Sequence, residues 1–106
     1  MEERRGEARR PANRRALVIG PGAAIEGRIT DESKGGVRLR LDQRLDAPGR
    51  MILVEMDDGS AVDLDIVWVK GREAGGRLEG TPVKLSGLVP QRLAAARDAS
   101  RRAGGR

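Results

Sequence analysis

Short apolar stretches with a period of two, separated by turns rich in glycine, constrain the fold of this chain most. Alternation of apolar and polar side chains is typical of a half-buried β-strand. Alternation, together with short apolar runs bounded by turns, predicts strands over 16–19, 24–30, 37–41, 50–56, 62–68 and 74–79. We interpret the chain as all-β, a small six-stranded antiparallel barrel, because closure of so short a sheet removes its exposed edges.

The two ends of the chain differ from the barrel segment, residues 16–89. Residues 1–15 carry six arginines and almost no apolar side chains, which predicts a flexible Arg-rich arm. Residues 90–106 begin with Pro90, which suits a first helical turn, and continue with Ala, Leu and Arg. We therefore expect a short C-terminal helix with a basic tail. Because its apolar face is mostly alanine, we expect it to be mobile or to pack only through Leu93.

Composition narrows the range of functions. The 106 residues fit one domain, and they include neither cysteine nor histidine. Disulfides, zinc fingers and histidine-based catalysis are excluded, and carboxylate pairs such as Asp57-Asp58 fall in turns. We therefore expect no enzymatic activity and no cofactor. No stretch approaches the ~20 apolar residues of a membrane span, and no apolar signal segment follows the start. We expect a cytoplasmic protein.

The positive charge lies outside the barrel segment. The chain carries 21 Lys+Arg against 16 Asp+Glu, yet the segment between the two basic ends has a net charge of −2. Trp68 is the only aromatic residue, and it shares an alternating face with Val62, Leu64 and Ile66, which predicts a core position. Both features argue against a nucleic-acid-binding barrel, which would present basic strands and stacking aromatics.

Two motifs flank the first predicted strand pair. One is Arg10-x-x-x-Arg14, preceded by Arg9, and the other is Asp31-x-Ser33-x-x-Gly36 in the loop between the second and third strands. Taken alone, each has an ordinary explanation, as a solvated basic tail and as turn chemistry. Together they suit a guanine nucleotide. Arginine matches phosphate or the O6/N7 edge of guanine, and a carboxylate can accept from its N1–H and N2–H₂ groups.

In this order, just ahead of a small barrel, the two motifs resemble those of the PilZ domain family over roughly residues 9–80. Val67-Trp68-Val69 and Gly75-Gly76-Arg77-Leu78 add to the resemblance. It implies a receptor for the bacterial second messenger cyclic di-GMP, with an N-terminal arm that is disordered when free and folds over the ligand.

The resemblance also implies roles for individual residues. Arg10 and Arg14 would contact guanine edges and phosphates, Asp31 and Ser33 would hold a guanine, and Gly36 would permit the turn. Arg9 would be an auxiliary contact. A chain this short would signal through a separate effector protein. The alternative is a PilZ-like protein–protein interaction module that does not bind the nucleotide and whose arm binds an acidic protein.

Overall fold

The computed structural model describes residues 9–104, which form a closed six-stranded antiparallel barrel followed by one short helix. The strands are β1 (Arg10–Gly20), β2 (Ala23–Ser33), β3 (Gly36–Leu41), β4 (Gly49–Glu55), β5 (Ser60–Lys70) and β6 (Glu73–Lys84). Their order around the barrel is β1-β2-β3-β6-β5-β4, and β1 closes the ring by pairing with both β2 and β4. This confirms the predicted fold class.

Alternation along the strands produces the core. In β3, Val37, Leu39 and Leu41 are buried, whereas Arg38 and Arg40 are exposed. The same pattern on the other strands fills the barrel with branched aliphatic side chains, including Val18, Ile29, Leu39, Leu53, Leu64 and Ile66. Burial of such side chains contributes roughly 1.5–3 kcal/mol each. The barrel interior is thus a packed core, and ligand chemistry is left to the outer surface and the ends.

β1 begins earlier than the apolar pattern predicts. Residues 10–15, which we expected in the arm, already pair with β2, with Arg10 opposite Glu32 and Pro11 opposite Asp31. Ladder hydrogen bonds form without apolar side chains, and the carboxylate of Glu32 on β2 faces both Arg10 and Arg14. The arm boundary at residue 15 therefore falls inside a strand. Residues 1–8 of the expected arm lie outside the described residues.

The C-terminal segment docks more firmly than predicted. A 3-10 turn at Gln91–Leu93 leads into α1 (Ala94–Arg102). Leu93 is buried, as are the three α1 residues Ala96, Ala99 and Ser100. They pack on a second apolar cluster outside the barrel, which includes Leu17, Val54, Met56, Ala61 and Leu85. The expectation of weak docking is wrong because small side chains let the helix backbone approach the sheet closely.

Trp68 is not a core residue, so this prediction is also wrong. The β5–β6 register shifts between Ile66 and Trp68, and this bulge reverses the inward-facing set of β5. Val67 and Trp68 are 50% and 38% exposed, and Val69 packs against the core instead. The bulge therefore moves the only indole of the chain to the surface.

Candidate functional site

The Asp31-x-Ser33-x-x-Gly36 motif spans the β2–β3 hairpin. Asp31 and Ser33 lie on β2 itself, and Gly36 begins β3 opposite Ser33. Only Lys34 and Gly35 remain in the turn, and Gly35 takes the left-handed conformation with φ 81°. The turn therefore depends on Gly35. The resemblance had implied this role for Gly36. A Cβ at Gly36 would lie 3.2 Å from the Ser33 Oγ, which makes Gly36 a packing position beside the motif serine.

Asp31 joins two guanidinium groups into one cluster. Arg9 Nε donates to Asp31 Oδ1 at 2.7 Å, and Arg9 Nη1 lies 3.4 Å from the Ser33 Oγ. On the other carboxylate oxygen, Asp31 Oδ2 lies 3.3 Å from Arg38 Nε. We call Arg9, Asp31, Ser33 and Arg38 the pocket cluster. The sequence analysis did not identify Arg38, although its place opposite Asp31 follows from the hairpin register.

A pocket of about 570 Å³ lies beside this cluster, within the size range of small-molecule sites. Its lining includes the four cationic side chains Arg9, Lys34, Arg38 and Arg77 and, among the residues that the structure describes, no carboxylate. Ser33 and Gly36 line it as well. The pocket therefore favours an anionic ligand.

Trp68 and two glycines of β6 form another wall of the same pocket. A Cβ at Gly75 would collide with Trp68 Nε1, and a Cβ at Gly76 would lie 2.7 Å from the backbone oxygen of Asp65. Gly75 must therefore stay small so that the indole can lie against the β6 backbone, and Gly76 must stay small so that β6 can approach the β5 backbone. The arrangement presents a half-exposed aromatic ring beside cationic side chains, which suits stacking of a nucleobase.

Arg14 is held on the other side of β2, in a group that we call the Arg14 clamp. Its Nη1 and Nη2 donate to the two carboxylate oxygens of Glu32 at 3.0 and 2.7 Å, and its Nε donates to Glu55 Oε1 at 2.8 Å. Arg10 Nη2 is also 3.8 Å from Glu32. The structure thus brings together Arg9, Asp31, Ser33 and Gly36, and places Arg10 and Arg14 beside Glu32.

Sequence reasoning did not find the two carboxylates of the clamp. Glu32 is adjacent to a motif residue, but its partner depends on the β1–β2 register. Glu55 is 41 residues from Arg14 and meets it only because β1 pairs with β4 at the closure of the barrel.

The clamp makes stability depend on the protonation of Glu32. The hydrogen bond from Arg14 lowers the pKa of Glu32 below its usual value and outweighs the opposing effect of burial. The unfolded chain therefore binds a proton at Glu32 at a higher pH than the folded chain does. Stabilisation by this group is present at neutral pH and is lost as the pH falls through the lowered pKa.

We expect Glu32→Gln to lower the free energy of unfolding by roughly 1 kcal/mol at pH 7, since the pair is partly screened by solvent. The difference from the wild type should shrink as the pH falls through the lowered pKa of Glu32, where the wild-type carboxyl also becomes neutral. Urea unfolding at a series of pH values from 7 downwards measures the difference. A difference that does not shrink over the acidic range in which the barrel stays folded would contradict the linkage.

Comparison with known families gives one result. The family model of the PilZ domain matches residues 3–89, which is most of the chain and includes every strand of the barrel. A search of curated proteins finds no match. Within residues 9–104, no helix has the length and apolar character needed to cross a bilayer. The match, together with the closed barrel and the two arginine and hairpin motifs, shows that the chain belongs to the PilZ domain family.

Proposed function

We propose that this chain binds cyclic di-GMP at the pocket beside the β2–β3 hairpin and passes the binding event to a separate partner protein. The PilZ domain family is a family of cyclic di-GMP receptors, and its members are binding modules. The observation that carries the proposal is the pocket itself. Its four cationic side chains and the half-exposed Trp68 suit a ligand that is both anionic and aromatic.

The chemistry of each group fits a part of the nucleotide. Guanidinium groups such as those of Arg9 and Arg38 neutralise phosphates or form paired hydrogen bonds with guanine O6 and N7. Asp31 holds both arginines in place beside the pocket without lining it. As an acceptor for the N1–H and N2–H₂ groups of guanine, it enters the proposal as a contact made after rearrangement. Trp68 offers a stacking surface, which contributes roughly 1–3 kcal/mol per base.

In the proposal, Arg10 and Arg14 contact the nucleotide only after their side chains leave the carboxylates that hold them in this structure. They lie at the end of the β1–β2 pair that holds Asp31, but on the face of Glu32. We assign them to guanine edges and phosphates, as in the family pattern. Ordering of the N-terminal arm over the ligand also involves residues 1–8, which lie outside the described residues.

Isothermal titration with cyclic di-GMP tests the proposal. We expect saturable binding with a Kd that is micromolar or tighter, which corresponds to about −8 kcal/mol or more. Cyclic di-AMP is the control, because adenine lacks the O6 acceptor and the N1–H donor that Arg and Asp would read. Absence of heat with cyclic di-GMP would contradict the proposal and favour a protein-interaction module without nucleotide binding.

Fluorescence of Trp68 locates the ligand, because this is the only tryptophan of the chain. We expect its emission to change on titration with the same midpoint as the heat. Trp68→Leu should weaken binding about 10-fold through loss of stacking. A binding heat without any change in Trp68 emission would place the ligand away from the proposed pocket.

A further inference from the structure

The hydrogen-bonding edges of Arg14 are already occupied within the protein. The two carboxylate oxygens of Glu32 accept from the terminal nitrogens Nη1 and Nη2, and Glu55 accepts from Nε. A guanidinium offers five N–H donors in a fixed planar fork. Three of its nitrogens are therefore committed to the two carboxylates, and Arg10 also lies near Glu32.

A carboxylate that accepts two parallel hydrogen bonds from one arginine has the same geometry as a ligand that arginine recognises through two acceptors. A phosphate, or the O6/N7 edge of guanine, also presents two acceptors to one fork. Glu32 therefore occupies the end of Arg14 that either acceptor would need. Arg14 cannot make both paired contacts at once.

The clamp also ties three strands together. Arg14 belongs to β1, Glu32 to β2 and Glu55 to β4, and their side chains are 36%, 24% and 28% exposed. Withdrawal of Arg14 leaves two partly buried carboxylates without their shared cation. A ligand that recruits Arg14 must supply acceptors that offset both lost contacts.

We propose that Glu32, assisted by Glu55, competes with the nucleotide for Arg14 and so determines the affinity of this domain for cyclic di-GMP. This inference rests on the proposed function. It assigns a role to Glu32, which occupies the variable position between Asp31 and Ser33, and to Glu55, which lies outside both motifs. In this arrangement the domain responds only to a ligand that replaces the paired carboxylate contact of Arg14.

Titration calorimetry on neutral variants tests the competition. We expect Glu32→Gln to bind cyclic di-GMP about 10-fold more tightly than the wild type, and Glu55→Gln about 3-fold more tightly. Glu26→Gln is the matched control, because Glu26 is an exposed glutamate of the same strand with no ion-pair partner among residues 9–104. It removes the same charge without touching Arg14 and should leave the affinity nearly unchanged.

Arg14→Ala shows whether the gain acts through this arginine. In that background, Glu32→Gln should give no tighter binding. Equal affinities for the wild type and for Glu32→Gln and Glu55→Gln would overturn the competition while leaving the proposed function intact. An equal gain with Glu26→Gln would also overturn it, since general charge would then explain the effect. Failure of every variant and of the wild type to bind would instead overturn the proposed function.

Discussion

Asp31→Ala is expected to weaken the binding of cyclic di-GMP about 100-fold. The carboxylate contacts Arg9 through one oxygen and Arg38 through the other, and both arginines line the pocket. The substitution therefore removes an acceptor for guanine and releases two cationic side chains from their positions. Each paired base contact contributes roughly 1–3 kcal/mol, so combined loss of acceptance and positioning accounts for a change of this size.

Isothermal titration measures the effect, with Asp42→Ala as the matched control. Asp42 is an exposed aspartate that follows β3 and makes no ion pair with any residue in the described range 9–104. It should bind like the wild type. Circular dichroism should show an intact barrel in both variants, because Asp31 is only partly buried and belongs to neither apolar cluster. Wild-type affinity in Asp31→Ala would rule out the pocket cluster as the binding site.

Leu93→Ala is expected to lower the free energy of unfolding by about 3 kcal/mol. Leu93 is 1% exposed and anchors the C-terminal segment on the outer cluster of the barrel. Alanine would leave a cavity between the 3-10 turn and the sheet, and the alanine face of α1 has little apolar area to compensate. For a domain of this size, the Tm should fall by roughly 10–20 °C.

Leu88→Ala provides the control, because Leu88 is fully exposed on the loop before the helix. The same atoms are removed there, and the Tm should stay within about 2 °C of the wild type. Thermal unfolding followed by circular dichroism measures both variants. Equal and small shifts would show that the helix adds little to the stability of the barrel.

The strands were predictable because their chemistry is local. Alternation of Val37, Leu39 and Leu41 with Arg38 and Arg40 indicates a half-buried strand, and the structure places β3 there. The polar start of β1 was not predictable in this way, because its pairing with β2 depends on backbone hydrogen bonds and on carboxylates from another strand.

Trp68 shows where a period-two pattern fails. The alternation from Val62 to Ile66 continues to Trp68 in the sequence, but the strand inserts one extra residue against β6. No residue at this point marks the bulge, since Val67 is an ordinary strand former. The close approach of Trp68 to Gly75 offers the better explanation, because the missing side chain of Gly75 leaves room for the indole outside the barrel.

The candidate site was predictable as a set of motifs and not as a geometry. The structure brings Asp31, Ser33 and Gly36 together with Arg9, which was only an auxiliary contact in the sequence analysis, and not with the motif residues Arg10 and Arg14. The separation of Arg14 from them depends on Glu32 and Glu55, and Glu55 reaches Arg14 only through the closure of the barrel. Contacts between strands that are distant in sequence carry no local signal.

The arginine motif contains a β-bulge of β1, between Pro11 and Arg14. Between Pro11 and Arg14, β1 advances three residues while β2 advances two, from Asp31 to Ile29. Deletion of one residue here would restore regular pairing, with Arg10 still opposite Glu32 and Arg14 still opposite Ile29. A deletion after Arg14 would instead turn Ala16 and Val18 out of the core. The spacing of the two arginines can therefore be shortened by one residue without a shift in the register of the core residues that follow, although the deletion would remove either the packing of Ala12 on the core or the hydrogen bond from Arg28 to Asn13.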